Sequence, residues 1–260
     1  MVTGIRLLVT VLALAPLPAL AALGFQEAAA RDPDTGELLY TEQHLLRHQD
    51  QQLRQRLVLY RCADGTAFAR KRVDYVASLL APSFHFEDAR TGYREGLRRE
   101  GGARELWVQA APGEAERSAA IEASPGLVAD AGFDEFIRGQ WQPLLAGKAV
   151  PLEFAVPSRL DSYGFTVRRR GSTEAAGEPA EVFRLRLGGL LGLLAPHIDV
   201  AYGRDSRRLL WFEGLSNLRG DDGGDPLQAR IEFPRPATRV DETRWRALAS
   251  EPLSACRVRG

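Results

Sequence analysis

The residues of this 260-residue chain whose types and spacing could do chemistry are four histidines, two cysteines, one acidic turn and a set of arginines. His44 and His48 are four apart, a spacing that brings two imidazoles together on a helix but separates them by about 13 Å on a strand. The surrounding residues read as a strand, and Glu42 is the only close carboxylate, so no metal site is expected there. His85 lies between Phe84 and Phe86, and His197 follows Pro196. Both read as hydrogen-bonded structural histidines. Asp221, Asp222 and Asp225 could attract calcium, but their spacing departs from the EF-hand loop and reads as a solvated turn. Arg168, Arg184 and Arg186 fall on the outward side of two strands, where they could receive an anion or, more simply, pair with neighbouring carboxylates. No serine sits in a G-x-S-x-G turn and no H-E-x-x-H occurs. Gly188, Gly189 and Gly192 are set among leucines and lack the lysine of a phosphate loop. No catalytic residue, metal ligand or cofactor is therefore assigned, and the chain is read as a non-enzyme.

Cys62 and Cys256 are the only cysteines. Whether they pair depends on the compartment, and the N-terminus speaks to that. Arg6 precedes an apolar run over residues 7–14, Pro16 and Pro18 interrupt it, and Ala19-Leu20-Ala21 follows. This is the layout of a secretory signal peptide over residues 1–22, cleaved after Ala21 or Ala22. An uncleaved anchor is the alternative, although the apolar core is short for a spanning helix. No cysteine follows the small residues to carry a lipid anchor. The expectation is a soluble periplasmic protein, and in that oxidising setting a Cys62–Cys256 disulfide is expected, with two free thiols as the alternative.

Lysine plus arginine equals aspartate plus glutamate at 34 each, so no global field draws nucleic acid or an anionic membrane surface. At 45% hydrophobic and 26% charged residues, the composition is that of a globular chain.

The elements that would position these residues are mostly strands. Residues 197–233 alternate most clearly: Ile198, Val200 and Tyr202 point one way, Leu209 and Trp211 oppose Leu210 and Phe212, and Leu227, Ala229, Ile231 and Phe233 follow a polar turn. This predicts a three-stranded meander with one apolar face. Further strands are predicted over 37–47, 56–62, 67–76, 83–88, 93–98, 105–109, 150–156, 160–169 and 180–187. Residues 48–55 read as a polar connection and 110–118 as a loop. Residues 133–145 change period: Phe133, Phe136, Ile137, Trp141, Leu144 and Leu145 fall at helical spacing, with Asp134 and Glu135 in the first turn. Pro143 is expected to weaken or kink the last turn. The fold class is mainly β (α+β), a curved antiparallel sheet or half-barrel of about ten strands with one amphipathic helix on its concave face. Residues 23–260 form a single β-rich domain in this reading, or two smaller sheets divided near 110–124.

Successive hairpins, one amphipathic helix, a short apolar connector and a closing I-x-V-x-Y, polar turn, L-L-W-F-E meander resemble bacterial envelope proteins of the lipoprotein-carrier (LolA/LolB-like) half-barrel type and related periplasmic β-proteins. The detailed likeness is confined to residues 197–233. The resemblance implies a sheet curled around an apolar cavity that accepts acyl chains. Two roles stay open. One is a carrier or sensor binding a lipid-like or other apolar ligand among Tyr163, Phe165, Phe183, Leu185, Trp211 and Phe212, with Trp141 as plug and Leu191 and Leu194 in the lid. The other is a non-catalytic scaffold with a filled core that meets an envelope protein partner.

Overall fold

Apolar and polar side chains alternate with a period of two along most of the chain, and a strand with that pattern must cover one face. The computed structural model describes residues 22–189 and 196–258. Its first eight strands run as a meander: β1 (Ala22–Arg31), β2 (Leu38–Gln49), β3 (Gln52–Arg61), β4 (Ala67–Asp74), β5 (Ser83–Asp88), β6 (Tyr93–Glu100), β7 (Ala103–Gln109) and β8 (Arg117–Ile121). A short β9 (Leu127–Ala129) leads into helices α1 (Gly132–Gly139) and α2 (Trp141–Leu145). Then come β10 (Val150–Val156), β11 (Asp161–Ala175), β12 (Glu178–Leu187), β13 (Ile198–Gly203), β14 (Leu209–Arg219) and β15 (Pro226–Glu232). The chain ends in β16 (Thr238–Val240) and helix α3 (Glu242–Ser250).

All sixteen strands among the described residues belong to one sheet. The two meanders join where β1 pairs with β15, Ala30 lying opposite Ile231, so the division considered near 110–124 separates no sheets. Instead that stretch carries the chain from one edge strand, β8, to the other, β9. The pairings are antiparallel except for β9 with β10. The sheet curls until its far parts meet without closing: Leu127, Ala129 and Ala155 pack with Phe84, Leu97 and Leu106, and the turn Pro157–Arg159 lies against β6 and β7.

Sixteen strands replace the expected ten for local reasons. β1 occupies an alanine-rich stretch without the β-branched residues that mark a strand. Residues 48–55 are not a connection: β2 and β3 run on to the two-residue turn Asp50-Gln51, whose φ values of 52° and 63° match the twist of a tight hairpin. β8 lies partly within the small, charged segment read as a loop, and holds its place by pairing with β7.

The single expected helix is two, with Gln140 between them at φ −98° and ψ 15°. Restarting at Trp141 puts Pro143 in a first helical turn, where its missing N–H has no intrahelical partner to lose. Both helices lie on the interior of the curl, Phe136, Ile137, Trp141 and Leu144 packing with Val128, Leu152, Val167, Phe183, Leu185 and Val200. Gly132 is required at the helix start, because a Cβ there would sit 1.9 Å from the Leu80 carbonyl oxygen. α3, capped by Asp241 accepting from the Arg244 N–H, covers the opposite face, its Leu248 and Trp245 packing on Leu45, Leu57, Leu59 and Ala67. The Cys62–Cys256 disulfide fastens the tail beyond α3. Residues 1–21, which carry all but the last residue of the predicted signal, lie outside the described residues. Among those that are described, no helix is long and apolar enough to cross a membrane.

Candidate functional site: the interior cavity

Because side chains alternate across a strand, pairing register decides which residues face the inside of the curl. His44 lies opposite Val58, Val58 opposite Lys71, Lys71 opposite Phe86 and Phe86 opposite Glu95, so these five form one inward row across β2 to β6. Glu42 and Tyr60 stand in the next row. On the other meander Phe165, Leu185, Ile198 and Phe212 face inward. Between the two lies a cavity of about 380 Å³. That volume is within the range of small-molecule sites.

One wall is apolar, made by Phe133, Phe154, Phe165, Leu185, Ile198, Leu209 and Phe212. The other carries ionisable groups that are hydrogen-bonded in pairs and chains, as buried polar groups must be. Lys71 Nζ donates to Asp130 Oδ1 at 2.6 Å and to Asn217 Oδ1 at 3.1 Å. Asn217 Nδ2 donates to Glu95 Oε1 at 3.0 Å, and the Tyr93 hydroxyl donates to Glu95 Oε2 at 2.6 Å. His44 Nε2 and Glu42 Oε2 are 2.6 Å apart. At the start of α1, Asp134 accepts from Arg56 Nη2 at 2.9 Å and from the Tyr202 hydroxyl at 2.7 Å.

Two buried carboxyls in this wall are shifted in opposite directions. Burial raises the Glu95 carboxyl above its ordinary value, outweighing the hydrogen bonds from Tyr93 and Asn217. Burial also pushes Asp134 up, but the adjacent Arg56 and Arg138 cations, with the Tyr202 and Arg56 hydrogen bonds, bring it below the ordinary carboxylate value. Burial likewise holds the Tyr40 and Tyr60 hydroxyls well above the usual tyrosine range, so they stay neutral donors.

The residues expected to bind a ligand divide into five groups. Phe165, Leu185 and Phe212 line the cavity. Trp141 and Phe183 do not: they are buried against each other, ring centroids 5.4 Å apart, with the Arg207 guanidinium over the indole. Tyr163 shares the face of Phe165 but stands opposite Phe154 and is 37% exposed, outside the lining. Trp211 faces away from the cavity, packing on Ala180, Ala201 and Leu210 beneath Arg230 at 4.4 Å. Adjacent strand residues point to opposite faces, so Trp211 and Phe212 cannot line one cavity. Leu191 and Leu194 lie outside the described residues.

The polar wall was missed by a reading that sought motifs, yet alternation marks part of it. Tyr93, Glu95 and Leu97 share a face, with Arg94, Gly96 and Arg98 on the other. A carboxyl between two apolar inward residues was the available signal. Lys71, Asp130 and Asn217 come from three distant segments and gave none.

Several of the other residues singled out for chemistry have structural partners. Arg184 pairs with Asp199 at 2.5 Å. Asp221 accepts from Arg90 at 2.8 Å. His85 packs at a tilt against Trp107, ring centroids 5.0 Å apart. A wider concavity of about 610 Å³ lies between β3–β7 and α3 on the outer face, with Arg72, His85, Trp107 and Trp245 in its lining. Trp107 is nearly covered there, and Arg72 is held by Glu87.

No protein-family profile and no curated protein sequence matches this chain. Among solved structures, a β-barrel-like protein of a domain of unknown function, DUF1849, from Brucella abortus aligns at 10% identity and a TM-score of 0.40. That alignment covers 87% of this chain and 100% of the other. MucB aligns at 12% identity and a TM-score of 0.31, over 86% of this chain and 56% of MucB.

Proposed function

We propose that this is an exported, periplasmic binding protein that holds an apolar, lipid-like ligand inside its curled sheet. The observation that carries the reading is the 380 Å³ cavity itself, walled on one side by Phe133, Phe154, Phe165, Leu185, Ile198, Leu209 and Phe212. An apolar wall beside such a space lowers the free energy of an alkyl chain by removing it from water. The disulfide suits an oxidising compartment, which supports export. The role assigned is to hold a molecule, not to transform it.

The test is native mass spectrometry with lipid extraction of protein taken from its own compartment, together with a Phe212→Trp reporter in the cavity wall. Co-purified lipid, and saturable quenching of the reporter by a dibrominated fatty acid that Phe165→Glu abolishes, are the expected results. A protein that is always empty and a reporter that is never quenched would refute the reading. The second role, a scaffold for an envelope partner, draws on the helix-filled part of the interior, where Trp141 and Phe183 leave no space. It predicts that empty protein.

A further inference from the structure

We propose that the network of Asp130, Lys71, Asn217 and Glu95 is the head-group end of the cavity and that it takes a hydroxylated head, of the sugar or polyol kind, in preference to an ionic one. The proposal rests on the ligand-binding reading of the cavity.

Asp130 Oδ1 accepts from Lys71, but Oδ2 finds no donor among the described residues, although the side chain is only 3% exposed and lines the cavity. An unmatched buried acceptor is costly, and a carboxylate oxygen more so. The residue is also held at φ 43°, a left-handed conformation that aspartate tolerates better than most side chains but that still costs energy. Beside it, the Lys71 ammonium has three hydrogens, two of which are directed to Asp130 and Asn217. One free acceptor therefore adjoins one free donor. A hydroxyl group answers both at once, donating to Asp130 Oδ2 and accepting from Lys71 Nζ.

Ionic heads fit worse. An anion would meet Glu42, Glu95 and Asp130, while the Lys71 charge is already matched by Asp130. A quaternary ammonium has no hydrogen to give Asp130 Oδ2, and a primary one would meet the Lys71 ammonium. With the head at this network, an alkyl chain would lie along Phe133, Phe154 and Phe165.

The experiment compares n-octyl-β-D-glucoside, octanoate and octyltrimethylammonium, each below its micellar concentration, and free glucose, by calorimetry on the wild-type protein and on Asp130→Asn. Octyl glucoside is expected to bind at least about tenfold tighter than either ionic amphiphile, and Asp130→Asn to weaken it by about tenfold while leaving octanoate unchanged. Equal affinity for the three heads on the wild-type protein would overturn the proposal and leave the apolar binding role standing. Failure of every alkyl probe to bind would overturn both. Glucose binding as tightly as octyl glucoside would support the hydroxyl chemistry and assign its source to a free sugar instead of a lipid. The wild-type comparison decides the matter even if the variant folds poorly.

Discussion

The interior face of the sheet has two regions, built by the same alternation and finished in different ways. Across β10 to β13 the inward residues are Leu152, Val167, Phe183, Leu185 and Val200, and α1 with α2 is laid directly on them. Across β2 to β6 the inward row includes His44, Lys71 and Glu95, and no helix among the described residues is laid on it. A helix packed there would strip these groups of partners at a cost of several kcal/mol each. The charged row thus preserves the space beside it. The lesson is that a few ionisable residues on an inward face can determine where a curled sheet stays open.

The open region has a covalent brace in the Cys62–Cys256 disulfide, whose cysteines pack with Tyr40, Val58 and Tyr60, and breaking that brace should have the largest effect. Replacing both Cys62 and Cys256 by serine opens a link that spans 194 residues of sequence. The expected loss is about 5 kcal/mol by the chain-entropy argument, read from urea unfolding. Thiol titration of the denatured, unreduced wild-type protein should find no reactive thiol. Two thiols, or a loss below about 1 kcal/mol, would show that α3 and its tail hold without the link.

A paired truncation tests the two interior regions directly. Trp141→Ala, in the filled region, should cost about 3 kcal/mol through the cavity it leaves. Phe212→Ala, at the margin of existing space, should cost about 1 kcal/mol, because much of its contact surface is already missing. Equal losses would mean that the two regions are packed alike and that the cavity is not a feature of the protein in solution.

The smallest effect is one of sign, and it separates the two buried carboxyls. Glu95 is raised, so its contribution to stability is full below its unfolded value of about 4.3 and is lost as pH rises through its folded value. Asp134 is lowered, so its contribution is present above its unfolded value of about 3.9 and is lost as pH falls through its folded value. Urea unfolding across the acid and neutral range should show Glu95→Gln flattening the decline on the alkaline side and Asp134→Asn flattening it on the acid side. If both variants changed the same side, the opposed environments inferred for the two carboxyls would be wrong.

The amino-acid order by itself determined the β class, the meander of β13 to β15, the strands at Ser83–Asp88 and Val150–Val156, and the apolar stripe from Phe133 to Leu145. Each is a local pattern whose period is visible in a short window. Three of the expected cavity residues, Phe165, Leu185 and Phe212, were legible for the same reason, since alternation names the inward face. Only the tertiary structure decided the rest. That β1 would pair with β15, that Trp211 would face outward while Phe212 faces in, and that Lys71, Asp130, Asn217 and Glu95 would meet are consequences of register and of the sheet's curl. Asp130 and Asn217 are separated by two α-helices and four whole strands, and no short-range pattern can encode a contact whose partners are brought together by the curvature of the whole sheet.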